Sequence, residues 1–290
     1  MNLRLCIAIL ASASAALGQA TPQTSAPPAP RERAQAEPAL TRRTWTVEGA
    51  ERLAFLHIPA PPAAAKTDTP VVFAFHGHGG NARQASRSFH IETEWPEAIV
   101  VYMEGLPTPG ALTDPEGKRN GWQAREGLQD DRDLKFFDTV LASLRKEYKV
   151  DDGRIYAMGH SNGGAFTYLL WKTRAPVFAA FAPSGAYTGR AATLAPRPAM
   201  HIAGTKDELV KFDNQQRTID AVKRVNGCTE PGKPWDRDCT RYDSTKGTPL
   251  VTLIYDGSHR YPAHAPALIV KFFKEQPEQA KPAPAQKNPG

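Results

Sequence analysis

Continuous apolar runs and helical stripes alternate along this chain. The runs at 71–75 (VVFAF) and 98–102 (AIVVY) are apolar at every position, as expected of strands buried on both faces. Shorter runs at 155–158, 178–182, 200–203 and 250–255 read the same way. Near the start, Trp45 and Val47, then Leu53 and Phe55, alternate with polar neighbours around Glu48-Gly49-Ala50 and predict a hairpin. Between the runs the period changes. Leu134, Phe137, Val140, Leu141, Leu144 and Tyr148 recur at helical spacing and predict a helix over 131–149. Helices are also predicted over 161–172, 214–225 and 263–274. Strand–helix alternation with apolar strands predicts an α/β fold, a mostly parallel sheet with helices on both faces. In such sheets, ligands bind beyond the carboxyl ends of the strands.

The two ends of the chain depart from this pattern. Residues 1–20 carry Arg4 as their one charge, an apolar core from Leu5 to Leu10, and small residues up to Ala20. They read as a secretory signal peptide cleaved after Ala20, because the apolar stretch is too short to span a bilayer. Residues 21–41 are rich in proline and alanine and form a flexible leader. Residues 276–290 form a similar tail, which leaves 42–275 as a single catalytic-size domain. The expected location is therefore outside the cytoplasm, either periplasmic or fully secreted.

Export bears on the cysteines. Cys228 and Cys239 are an even pair flanking a polar stretch, and an oxidising compartment favours a disulfide between them. Two buried thiols are the alternative. The net charge is +6, from 36 basic against 30 acidic residues, and no long basic run appears. That scatter reads as a solvated surface, with no nucleic-acid footprint and no membrane partner.

The chemistry centres on Gly159-His160-Ser161-Asn162-Gly163, set between a strand and a helix. This is the nucleophile-elbow pattern: the glycines permit a sharp turn that exposes the Ser161 hydroxyl. A serine hydroxyl is a weak nucleophile, so it needs a histidine base, and the base needs a carboxylate. In this architecture the partners follow in the order Ser, Asp or Glu, His. Asp207 follows the strand at 200–203, with Glu208 as its neighbouring rival. His259 follows the strand at 250–255, with His264 as its rival, and His201 reads as a packing residue. An oxyanion hole needs two donors. The backbone N–H of His78, in the HGxGG loop after 71–75, and that of Asn162 are the candidates. His76 and His78 have metal-ligand spacing, but no acidic partner lies nearby in sequence, so a metal is not expected. Trp122 is either the wall of an aromatic pocket or a core residue.

The segments HGHGGNA (76–82), GHSNGGA (159–165), GTKDELV (204–210), NGC (226–228) and DGSHRYP (256–262) together resemble the secreted polyhydroxybutyrate depolymerase and feruloyl esterase group. These are α/β-hydrolases of the carbohydrate esterase type. The resemblance spans about 42–275. It implies an acyl-enzyme mechanism on an ester substrate, triad roles for Ser161, Asp207 and His259, no cofactor, and a bridged cysteine pair. His78 departs from the small residue or cysteine that many relatives carry there, and the long segment 104–125 is placed to form a substrate rim. A peptidase or acyltransferase of the same fold would use the same residues. A non-catalytic binding protein on a hydrolase scaffold would have lost a triad member, and all three candidates are present.

Overall fold

In the computed structural model, residues 39–60 and 68–277 are described. The predicted signal peptide, most of the leader and most of the tail lie outside them. Strand β3 (Thr69–Phe75) is buried at all seven positions and lies at the heart of a ten-stranded sheet. Its neighbours are β4 (Ile99–Met103) and β7 (Val150–His160), both parallel to it. Parallel pairing continues through β8 (Ala180–Ser184), β9 (Ala199–Gly204) and β12 (Leu250–Tyr255). Each end of the sheet is finished by antiparallel strands. At one end β1 (Thr41–Val47) pairs with β2 (Ala50–His57), and β2 pairs with β4. At the other, β10 (Lys233–Asp236) and β11 (Cys239–Tyr242) form a hairpin against β12. A two-stranded ribbon, β5 (Leu106–Pro107) with β6 (Asn120–Gly121), stands apart from the main sheet.

Alternation along β3 shows why both faces must be covered. Val71, Phe73 and Phe75 enter one core, and Val72 and Ala74 enter the other. The first core is closed by helices α3 (Arg132–Glu147), α4 (Asn162–Arg174) and α5 (Phe212–Asn226). The second is closed by α1 (Ala82–Phe89), α2 (Ile91–Glu94) and α6 (Ala265–Lys274). In α3 the predicted stripe is the buried one: Leu134, Phe137, Val140, Leu141 and Leu144 all face the first core. Burying a side chain of that size contributes roughly 1.5–3 kcal/mol, so the stripe alone docks the helix. Helix α1 starts at Asn81, whose side chain accepts from Gln84 N at 2.8 Å and caps the first turn.

The packing overturns the expected disulfide and decides the place of Trp122. Cys228 and Cys239 are free thiols. Cys228 packs against the first core while Cys239 is buried in the second, so the sheet separates them. Trp122 is fully buried, stacked on Phe166 at 5.1 Å and edge-on to Phe75 at 5.2 Å, and is a core residue rather than a pocket wall. The polar stretch between the cysteines is the β10–β11 hairpin, which the sequence pattern does not reveal.

Candidate active site

Four loops at the carboxyl ends of parallel strands converge on Ser161. After β7 the chain turns into α4 through Ser161, whose φ of 58° and ψ of −122° lie in a region side chains rarely adopt. The turn leaves no room on either side. A Cβ on Gly159 would lie 2.4 Å from the Gly163 carbonyl oxygen, and one on Gly163 would lie 2.1 Å from the Phe75 carbonyl oxygen. Glycine at both positions therefore lets the elbow press against the end of β3.

The side chains of Ser161, His259 and Asp207 form one hydrogen-bonded chain. His259 Nδ1–H donates to Asp207 Oδ2 at 2.7 Å, which leaves Nε2 as an acceptor, 2.8 Å from the Ser161 hydroxyl. The Asp207 side chain is almost wholly buried, and both of its oxygens are occupied. Oδ1 accepts from the backbone N–H groups of Leu209 and Val210 at 3.1 and 2.8 Å, and Oδ2 also accepts from Gln215 Nε2 at 3.1 Å. Glu208 is exposed and His264 takes no part in the chain. Behind Asp207 the network continues inward. Tyr168 donates to His201 Nδ1 at 2.6 Å, and His201 Nε2–H points to Gln215 Oε1 at 3.4 Å. His201, read as packing from the sequence, thus belongs to a buried polar line that ends on Asp207.

The candidate oxyanion donors lie beside the serine. Asn162 is the first residue of α4, so its backbone N–H has no intrahelical partner and the helix dipole adds partial positive charge there. Its side chain is held by Trp122: the Trp122 N–H donates to Asn162 Oδ1 at 2.7 Å, and Asn162 Nδ2 donates to Trp122 O at 3.3 Å. His78 follows Gly77, where an added Cβ would lie 3.4 Å from Ser161 Cβ. The His78 ring donates from Nε2 to Asp114 Oδ2 at 3.0 Å and packs against Gly110 and Gly121. Asp114 also accepts from the N–H groups of Lys118 and Arg119 at 3.2 and 2.9 Å. The 104–125 segment is thereby clasped to the loop after β3. Nothing in the local sequence pattern joins the His78 ring to Asp114, 36 positions on.

Two further histidines support the site. His76 accepts from Gly105 N–H at Nε2 (2.9 Å) and donates from Nδ1 to Gly77 O (2.7 Å), so both its nitrogens are committed and neither is open to a metal. His160, the residue before Ser161, accepts from Ser184 Oγ at 3.1 Å and donates to the His259 carbonyl at 3.3 Å. Burial, reinforced by the adjacent His259, pushes His160 down to about 4, so it is neutral at ordinary pH and braces the His259 backbone.

Ser161 opens into a cleft of about 910 Å³. Its rim carries Leu112, Tyr187 and Leu209, which are also the exposed large hydrophobics among the described residues. Trp122 does not line it.

No family model matches the chain. Among curated proteins, it is 29% identical over 161 residues to the bifunctional acetylxylan esterase/xylanase XynS20E of Neocallimastix patriciarum, covering 54% of this chain and 22% of that protein. The chain thus spans about a fifth of that relative's length. It is 29% identical over 253 residues to the putative esterase NocK of Nocardia uniformis subsp. tsuyamanensis, covering 79% and 70%. It is 25% identical over 230 residues to feruloyl esterase C of Emericella nidulans, covering 77% and 81%. Among solved structures, a thermostable esterase superposes with a TM-score of 0.59 at 16% identity, over 82% of this chain and 63% of that one. A mutant of the feruloyl esterase module from Clostridium thermocellum, complexed with sinapinate, superposes with a TM-score of 0.58 at 14% identity, over 83% and 90%. The fold is that of the α/β-hydrolases, and in sequence the chain is similar to proteins named acetylxylan and feruloyl esterases.

Proposed function

We propose that the protein hydrolyses carboxylic esters through a Ser161–His259–Asp207 triad and an acyl-enzyme. The observation that carries this reading is the continuous hydrogen-bonded chain from Asp207 through His259 to Ser161, at the mouth of an open cleft. His259 Nε2 takes the hydroxyl proton as Ser161 Oγ attacks the ester carbon. The backbone N–H groups of His78 and Asn162 hold the oxyanion, an arrangement in which each donor contributes roughly 3–4 kcal/mol to the transition state. As the carbon–oxygen bond breaks, the imidazolium returns its proton to the departing alcohol. Water, deprotonated by the same nitrogen, then attacks the acyl-enzyme and releases the acid. Asp207, fixed by four donors, holds the imidazole in the tautomer this cycle requires.

The substrates are feruloyl or acetyl esters of carbohydrates, or hydroxyalkanoate oligoesters. The protein meets them outside the cytoplasm, after cleavage at Ala20. Among the described residues no helix is long and apolar enough to cross a membrane. The test is turnover of methyl ferulate, a soluble 3-hydroxybutyrate oligomer and an aryl acetate by the full mature chain, with Ser161→Ala as control. Release of acid that disappears in Ser161→Ala supports the mechanism. A folded protein that turns over none of the three sinks it. Acyl transfer to an added alcohol in preference to water would favour a transferase.

A further inference from the structure

The charged side chains around the cleft are strongly one-sided. Arg119, Arg125, Lys172 and Arg190 line it, and Glu126 is the acid among them. The chain as a whole carries 36 basic and 30 acidic residues, so its overall composition does not account for four against one. The cations come from separate segments: Arg119 and Arg125 from the rim segment, Lys172 from α4, and Arg190 from the stretch after β8. Arg119 is engaged with Asp114 at 3.8 Å and the Thr113 carbonyl at 3.0 Å. Among the described residues Arg125, Lys172 and Arg190 have no ion-pair partner. Other exposed cations, among them Lys211 and Arg224, also lack an ion-pair partner, and Arg125, Lys172 and Arg190 are set apart by lining one cleft. Arg174, one half-turn beyond Lys172 on α4, is paired with Asp138 at 2.8 Å, as Lys223 is with Glu230 at 2.9 Å.

Unpaired cations lining a concave, partly apolar site raise the local concentration of anions and favour those that fit. Guanidinium groups match a carboxylate in two-point geometry. The apolar rim of Leu112, Tyr187 and Leu209 adds a surface for a carbon skeleton. We infer that the cleft selects esters that carry a free carboxylate, with Arg125, Lys172 and Arg190 as the subsite that receives it. This rests on the esterase reading above and deepens it from ester to anionic ester. The carboxylate has two possible positions, the acyl side of the scissile bond, as in the half-ester of a dicarboxylic acid, or the alcohol side, as in an esterified hydroxy acid.

The test uses the full mature chain and two matched pairs. Monomethyl adipate and its carboxamide probe the acyl side; 3-acetoxybutyrate and its carboxamide probe the alcohol side. Each amide keeps the shape of the acid and removes its charge. In at least one pair, kcat/KM for the acid exceeds that for the amide by about tenfold or more at low salt. The preference collapses as salt rises from about 0.01 M to about 1 M, because screening shortens from roughly 30 Å to about 3 Å. In the triple variant Arg125→Gln, Lys172→Gln, Arg190→Gln, the acid-to-amide ratio falls about tenfold. Arg237→Gln, on the β10–β11 turn, leaves the ratio as it was. The pair that shows the preference identifies the side. Equal turnover of acid and amide in both pairs overturns the inference. So does turnover of an aryl acetate with none of the four compounds accepted, and the esterase reading then survives. A folded protein with no turnover of the aryl acetate either defeats the esterase reading itself. The salt response of the unmodified chain decides the matter even if the triple variant fails to fold.

Discussion

Gln215 donates to Asp207 Oδ2 at 3.1 Å, the same oxygen that accepts the hydrogen bond from His259 Nδ1–H at 2.7 Å. The amide also donates to Val210 O at 2.7 Å, so it ties the Asp207 loop to α5. Gln215 touches no reacting atom and acts by holding the carboxylate. Hydrogen bonds to charged groups contribute about 1.5–3 kcal/mol. Gln215→Leu is expected to lower kcat by about 10- to 100-fold with KM little changed, whereas a purely structural loss would lower the melting temperature and leave kcat per folded molecule intact. Steady-state kinetics beside a thermal melt separates the two.

Acid sensitivity follows from the buried histidines. His76 and His201 are each pushed down to about 4 by burial, against an ordinary value of 6.5. In the unfolded chain they take up protons at a higher pH than in the folded one. Their contribution is therefore fully present above about 6.5 and is lost as pH falls towards 4, by roughly 3 kcal/mol apiece. The melting temperature should fall steeply across that window. His201→Gln should flatten the fall, which a pH series of thermal melts will read. An unchanged slope would remove His201 as a source.

A buried ion pair holds the base of the rim. Arg52 Nη2 lies 2.8 Å from Asp133 Oδ1, and neither side chain is measurably exposed. Asp133 Oδ2 also accepts from Gln123 N–H at 2.8 Å, next to Trp122. Asp133→Ala strands the guanidinium in the core and should cost about 3–5 kcal/mol in urea denaturation. Arg52→Met with Asp133→Leu should recover most of that loss, because no unpaired charge remains.

The thiols should behave as two separate groups. Burial pushes Cys239 up to about 12 and also raises Cys228, so both are poor nucleophiles. In the mature chain, which lacks Cys6, two thiols should titrate after denaturation without reductant, and reductant should leave the melting temperature unchanged. A peptide map linking residue 228 to residue 239 would overturn the opposite-face arrangement.

The tie between Asn162 and Trp122 predicts a coupling between elbow and rim. Asn162→Ala keeps the backbone N–H but leaves the Trp122 N–H without its acceptor. It should cost about 1–3 kcal/mol in stability. It should also lower kcat, because the first turn of α4 loses its brace. An unaffected kcat would limit the Asn162 side chain to a structural role.

The fold was legible in the sequence because its determinants are local. A strand buried on both faces must be apolar throughout, so β3 and β4 announce themselves, and α3 shows its stripe. That Ser161, Asp207 and His259 could meet was legible for a related reason. An elbow squeezed against β3 admits only glycine at 159 and 163, and partners placed at strand ends keep their order along the chain. Other features depended on distant packing, which no local pattern encodes. Trp122 became core because Phe75 and Phe166 close on it from β3 and α4. Cys228 and Cys239 sit eleven positions apart, but a hairpin edge sends them to opposite faces of the sheet. The clasp between His78 and Asp114, the line from Tyr168 through His201 and Gln215 to Asp207, and the cations of the cleft join residues that are remote in sequence. Sequence alone determined which segments could be strands, helices and catalytic turns, since burial and steric fit act residue by residue. Only the tertiary structure decided which side chains meet, since that depends on register and on which face of the sheet each one takes.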